Sequence, residues 1–403
     1  MTSLGEVRRS PNALARYYSA FRVGERLLLT GHSHQAWPDV ARQGQLEAFE
    51  DASLHVDEKW EHAFEKAERV RDGFRRLLED DAPIALAPNT HELVTRFLSA
   101  LDLRARPRLV TSAGEFHTLR RQLARLHEEG LDVARVEVEP VETLAERMAT
   151  AVDGRTSAVL VSAVLFETAR IVPQLEDLAL ACAATGAELL VDAYHALGAV
   201  PFTAAQHGLE TAWIVGGGYK YLQLGEGSCF LRLPPQAETM RPVLTGWFAE
   251  FDDLVAEHAK AGVSYGGGAA RFAGSTYDPT SHYRAARVFD FFAERGLTPE
   301  LLRTVSQHQT GLLARLVDEL GLPESVLTRD CDTPRERFGG FLALESPRAE
   351  EIARELAREG VLVDARGRYL RLGPAPYLSD AQLEESIARL AGVVDRITAF
   401  SAP

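Results

Sequence analysis

Residues 187–198, AELLVDAYHALG, and residues 211–233, TAWIVGGGYKYLQLGEGSCFLRL, set the fold of this chain. In each, a short apolar run (LLV, then WIV) ends at a group that chemistry can use: Asp192 in the first, three glycines and Lys220 in the second. An uninterrupted apolar run of this length suits a strand covered on both faces, because a strand with one wet face alternates. GSCFLRL (227–233) then reads as a returning strand. Upstream the same texture repeats. IALAP is a strand, NTHELVTRFLSAL a helix opening at Asn89 or Thr90, RLVTS (108–112) a strand, and 117–129 a helix. ARVEVE (134–139) is a strand, VETLAERMATAV a helix, SAVLVSAVLF (157–166) a strand, and LEDLALACAATG a helix closed by Gly186. Strands alternating with helices predict a mostly parallel sheet with helices on both faces, whose ligands bind beyond the strands' carboxyl ends. Thr90, Phe116, Asp192, His195 and Lys220 fall at that edge.

On the N-terminal side, residues 11–24 predict a helix, RLLLT (26–30) a short strand, GHSHQAWP a loop, and 39–79 long helical material. On the C-terminal side, 281–318 predicts helices. Beyond them GGFLALES, RAEEIARELAREG, VLVDARGRYLRLGP and DAQLEESIARLAGVVDRITAF read as strand, helix, strand pair and helix, a small α+β domain. The expected division is an N-terminal segment, 1–45, joining a small domain made mainly of 291–403, with a large domain at 46–290.

The chain's 403 residues suffice for about two domains. Its formal net charge of -14 repels phosphate backbones and anionic membranes, so neither nucleic acid nor membrane is an expected partner. No stretch reaches the ~18 apolar residues of a membrane span, and the N-terminus lacks the apolar core of a signal peptide. Cys182, Cys229 and Cys331 are odd in number and widely spaced, which fits a reducing cytoplasm better than a disulfide framework. Lysine is scarce: four residues against 40 arginines (44 − 4). Lys59, Lys66 and Lys260 stand in charged, helix-like surroundings and read as solvated surface. Lys220 stands among glycines and apolar residues.

Asp192 alone reads as a turn cap, and a glycine-rich turn with a lysine can also form an anion-binding nest. The two together, 28 residues apart (220 − 192), fit pyridoxal 5'-phosphate (PLP) chemistry. That cofactor needs an amine to condense with its aldehyde and a carboxylate to keep its pyridine nitrogen protonated. An apolar, desolvated loop also lowers a lysine's pKa, as such an amine requires. The sequence is no Walker loop, since Lys220 is followed by Tyr221. Asn89, Thr90 and His91 open a helix after a strand, a place where backbone N–H groups bind phosphate, although ordinary capping explains them equally well. His32 and His34, at i and i+2 in a loop with no third ligand, do not make a metal site.

D-A-Y-H-A-L-G followed by Y-K-Y-L-x-x-G-x-G resembles the class V aminotransferase superfamily of fold-type I PLP enzymes, and within it kynureninase most closely. The order of elements fits from about Leu28 to Tyr377. The resemblance implies a seven-stranded, mostly parallel sheet with a small C-terminal α+β domain. It implies that Lys220 carries the cofactor, that Asp192 pairs with the pyridine nitrogen with His195 nearby, and that Tyr219 binds the phosphate and relays protons. Phe116 would stack on the pyridine, and Asn89, Thr90 and Ser33 would approach the phosphate. Trp247 and Thr276 would reach a neighbouring subunit's site in a homodimer. Arg371, with Ser33 and His34, would bind the substrate, the arginine by its α-carboxylate. The implied reaction is hydrolysis of a Cβ–Cγ bond with release of alanine. Three departures bear on the substrate: GHSHQ (31–35) replaces G-N-S-L-G, Leu119 replaces an Asp, and VLFETARIVP replaces a tyrosine-rich segment. An aminotransferase on another amino acid and a C–S lyase of the cysteine-desulfurase kind remain alternatives, although a desulfurase needs a thiolate and GVLVDARGR lacks a cysteine where that family carries one. A degenerate, PLP-free binding protein is disfavoured by the retention of both Asp192 and Lys220.

Overall fold

The computed structural model describes residues 2–253 and 262–399. Lys260 lies outside them. The elements, in chain order, are α1 (Leu4–Arg8), β1 (Leu27–Leu28), α2 (Val40–His55), α3 (Lys59–Leu78), β2 (Ile84–Ala87), α4 (Thr90–Ser99), β3 (Arg108–Ser112), α5 (His117–Glu128), β4 (Asp132–Val136), α6 (Leu144–Thr150), β5 (Thr156–Ser162), α7 (Leu175–Thr185), β6 (Glu188–Asp192), β7 (Trp213–Gly217) and β8 (Cys229–Arg232). They continue with α8 (Thr280–Arg295), α9 (Pro299–Glu319), β9 (Leu342–Glu345), α10 (Ala349–Arg358), β10 (Val361–Leu362), β11 (Asp364–Arg366), β12 (Tyr369–Leu372) and α11 (Asp380–Ala399).

Seven strands form the main sheet in the order β2-β8-β7-β6-β5-β3-β4. The five strands from β7 to β4 run parallel, and β8 is antiparallel to both of its neighbours. β5 is buried at every position, as helices on both faces require. The carboxyl ends of β3, β5, β6 and β7 therefore meet along one edge, at Ser112, Ser162, Asp192 and Gly217. A second, antiparallel sheet in the order β11-β12-β9 carries α10, and α11 packs on α10 and α9. β1 pairs with β10 in parallel, Leu27 opposite Val361, so the N-terminal segment is threaded into the C-terminal part.

Four expectations change. The strand expected over 157–166 ends at Ser162, beyond which Val164 makes only an isolated bridge to Ile171. Residues 11–24 form no α-helix but two 3-10 turns, Ala15–Phe21 and Val23–Glu25, with Arg22 left-handed between them. Side chains take the backbone groups a helix would use: Asn12 Oδ1 accepts from the Leu14 N–H, and Asp39 accepts from those of Ser19 and Ala20. The fourth strand ends at Val136 rather than Glu139, because the Arg147 guanidinium takes the Val138 and Pro140 carbonyls out of the ladder. Lys66 is not solvated. Its ammonium pairs with Glu47 and lies 5.4 Å from the Tyr283 ring centre.

Candidate active site

The turn after β7 is shaped by close approach. A Cβ at Gly217 would lie 2.5 Å from both Cys229 Sγ and the Tyr194 hydroxyl, and one at Gly218 would lie 2.4 Å from a Leu224 methyl. Without those side chains the chain doubles back, the Leu224 N–H donating to the Gly218 carbonyl and the Gln223 N–H to that of Lys220. Lys220 is thereby turned inward. It is 5% exposed and faces a cavity of about 250 Å³ at the carboxyl edge of the sheet.

Lys220, Asp192, His195, Tyr219, Phe116, Asn89 and Thr90 all line that cavity. The Lys220 amine is 2.5 Å from His195 Nε2 and lies 4.8, 5.1 and 5.8 Å from the ring centres of Tyr194, Phe116 and Tyr219. Burial lowers its pKa to about 7, against the opposing pull of Asp192. Burial likewise raises Asp192, whose carboxylate accepts a 2.8 Å bond from the Tyr194 N–H, and lowers His195. Tyr219 is pushed up to about 12 by burial, so its hydroxyl keeps its proton at neutral pH. Asn89 caps α4, its side chain accepting from the Glu92 N–H at 2.9 Å, and so aims the first turn of that helix at the cavity.

The remaining expected residues sit outside the lining. His34 stacks on Tyr219 at 4.9 Å, bonded to Ser33 through Nδ1 and 3.7 Å from Glu226 through Nε2. Trp247 Nε1 donates to Thr276 Oγ1 at 3.2 Å, and Thr276 lines a wider groove of about 1090 Å³ that shares Pro88 and His91 with the Lys220 cavity. Arg371 is buried, but its fork is already engaged: Nε and one Nη bond the two oxygens of Asp364, at 2.7 and 2.5 Å, and the other Nη bonds the Phe166 carbonyl. His32 Nε2 donates to the same carboxylate at 2.9 Å. Burial alone would raise Asp364, but its bonds to His32 and Arg371 hold it well below the usual carboxylate range. Burial also brings His32 down to about 4.

Sequence reasoning missed several neighbours. Tyr194 cups the Lys220 amine, and Cys229 lines the cavity with its thiol raised by burial to about 12. Glu115 is buried beneath Phe116, bonded to the Ser112 and Ser162 hydroxyls and raised by burial to about 7. The Asp364–Arg371 pair had a visible signal: the two residues are symmetric about the Gly367 turn in DARGRYLR and face each other in the ladder. Leu119, at the departure from the family pattern, points into the core.

Residues 302–390 match the family model of the kynureninase C-terminal domain. Among curated proteins the chain is similar to "Uncharacterized aminotransferase YcbU" of Bacillus subtilis (strain 168), 22% identical over 351 residues that cover 86% of this chain and 89% of that one. Among solved structures it is similar to a mutant of C-DES, a cystine C–S lyase, with glycine covalently linked to its PLP cofactor (TM-score 0.81, 14% identity, 93% of this chain and 98% of that one). It is also similar to the cysteine desulfurase CsdA of Escherichia coli (TM-score 0.77, 15% identity, 99% of each chain). The chain thus has the fold of the fold-type I PLP-dependent enzymes, with a C-terminal segment that matches the kynureninase domain.

Proposed function

We propose that the chain is a PLP-dependent enzyme acting on an amino acid, and that its reaction is a kynureninase-like hydrolysis of a Cβ–Cγ bond with release of alanine. The observation that carries the cofactor assignment is the pairing, in one cavity, of a buried amine with a pKa near 7 and a buried carboxylate that, among the described residues, is hydrogen-bonded by the Tyr194 N–H and by no cation. Asp192 suits a pyridinium N–H, Lys220 an aldehyde, the Phe116 ring a flat aromatic face, and the first turn of α4 with Thr90 a phosphate. His195 Nδ1, buried and without a hydrogen-bond partner among the described residues, leaves that imidazole room for one more polar contact. Once bound, PLP supplies an electron sink for charge developing at the substrate α-carbon.

The chain's own residues then handle protons and orientation. Lys220, part neutral at physiological pH, takes the α-proton, and His195, 2.5 Å away, holds the amine in place. Tyr219, protonated and capped by His34, serves as a proton donor at the cavity wall. Arg371, fixed by Asp364, offers its remaining N–H groups to the substrate α-carboxylate. Trp247 and Thr276, set apart from Lys220 within the chain, are proposed to serve the second site of a homodimer.

Support for the hydrolase over its alternatives comes from the kynureninase match across Asp364 and Arg371 and from the cysteines. Cys229 is held as a thiol, and Cys331 is exposed away from the cavity lining, so no thiolate is offered to a sulfur substrate. An aminotransferase or a thiol-independent C–S lyase is the second reading, favoured by the likeness to YcbU and C-DES. A panel of kynurenine, 3-hydroxykynurenine, cystine and α-amino acids offered with a keto acid separates them. Anthranilate and alanine that depend on Lys220, with Lys220→Ala silent, is the expected result. Turnover confined to the other substrates would move the reaction to the second reading.

A further inference from the structure

Away from the cavity, three side chains with metal-ligating chemistry meet at the hairpin between α2 and α3. Asp51 and His55 are four residues apart on α2, which puts them one above the other on a single face. His62 stands in the first turn of α3, folded back by residues 56–58. His62 Nδ1 is 3.2 Å from Asp51 Oδ2, the two imidazoles stand edge to face with centres 4.7 Å apart, and the ligand atoms of all three lie within 4.8 Å of one another. Ligands about 2.0–2.2 Å from a tetrahedral ion stand roughly 3.3–3.5 Å apart, so the Asp51–His62 separation is already close to one edge of such a site.

Two further features point the same way. The hydroxyl of Tyr283, a buried residue of α8, donates at 2.7 Å to Asp51 Oδ2, the oxygen that also faces His62, and orients the carboxylate as outer-sphere groups orient ligating carboxylates. Glu65 adds negative charge around the same hydroxyl, while Glu47 is paired with Lys66 and Arg287. The turn that brings the imidazoles together holds Val56 at φ 50° and ψ -92°, a strained conformation for a β-branched residue, while its side chain is 70% exposed and gains little packing there.

We propose that Asp51, His55 and His62 bind Zn²⁺, or a divalent ion of similar softness, with water completing the coordination. Two imidazoles and one carboxylate suit Zn²⁺ and not Mg²⁺ or Ca²⁺, which ask for six or more oxygens. None of the three lines the Lys220 cavity, so the ion's part is to clasp α2 to α3 and, through Tyr283, to α8.

The test is calorimetric titration of tag-free, PLP-loaded, full-length protein with ZnCl₂, paired with Co²⁺ as a visible-absorbing probe. One Zn²⁺ per chain, an intense Co²⁺ spectrum of tetrahedral type, a raised melting temperature and no response to Mg²⁺ are expected. His55→Ala and His62→Ala should each weaken Zn²⁺ at least about tenfold, and Tyr283→Phe by roughly 10–100-fold, the usual effect of removing an outer-sphere partner. Circular dichroism of each variant without metal shows whether it is folded, and His55→Ala, at the last residue of α2, keeps the test open if Tyr283→Phe is not. Absence of Zn²⁺ binding, affinity unchanged in His55→Ala, or affinity lost instead in Cys331→Ser would each overturn the site.

Discussion

At Lys220 a single side chain decides the chemistry. An ordinary lysine is almost wholly protonated at neutral pH, whereas an amine lowered to about 7 is half neutral there, and only the neutral form attacks an aldehyde. Capture of added pyridoxal phosphate, followed by visible absorbance, should therefore climb most steeply around pH 7 and vanish in Lys220→Ala. A climb confined to pH above about 9 would mean that burial does not lower this amine. Asp364 is the second decisive residue. Asp364→Asn strands the buried Arg371 guanidinium, and breaking such a pair costs about 3–5 kcal/mol, measurable by denaturant unfolding. Because Asp364 is held below its ordinary pKa, its contribution is complete above about pH 4 and is lost as the pH falls further. The two residues differ in legibility. Lys220 stood out because lysine is scarce and glycines precede it, while the engagement of Arg371 depended on a hairpin register that no single residue announces.

Among the elements, the β7 turn carries most of the site. Gly218→Ala drives a methyl into Leu224, so it should destabilise the chain by about 1–3 kcal/mol, and it should also slow pyridoxal phosphate capture, because Lys220 is aimed by this turn. A variant destabilised but with unaltered capture would separate the turn from the aim of the lysine. The strands around it were legible because β5, β6 and β7 are short, uninterrupted apolar runs that alternate along the chain with helical stretches. The N-terminal turns were not, since residues 11–24 have helical composition and only the side chains of Asn12 and Asp39, reaching backbone groups up to twenty residues away, deny the helix. The second expectation at this scale, a helix opening at Asn89, was legible from the capping residue alone.

The molecule as a whole leaves apolar side chains in water. On α2 and just after it Phe49, Leu54 and Val56 are 70–75% exposed, and Val243, Leu244 and Trp247 are exposed in the segment after β8. Trp60 and Phe64 of α3 pack edge to face on Phe248, and Phe64 on Phe251, and Trp247 packs on the same two phenylalanines. Uncovered apolar surface of this kind marks an interface. Light scattering should return twice the 44.3 kDa of one chain, and Phe49→Asp combined with Leu54→Asp should return a single chain. A wild-type monomer would leave Trp247 and Thr276 without a second site to serve. The pairing of β1 with β10 also bears on how the protein is made. Leu27 leaves the ribosome 334 residues before its partner Val361, so during synthesis β1 has no strand to pair with until β10 emerges, although Tyr18 and Gln35 meet Gln223 and Tyr219 earlier. The beginning of the chain waits for its end, and a nascent chain stopped before β10 leaves one backbone edge of the His34 segment untied.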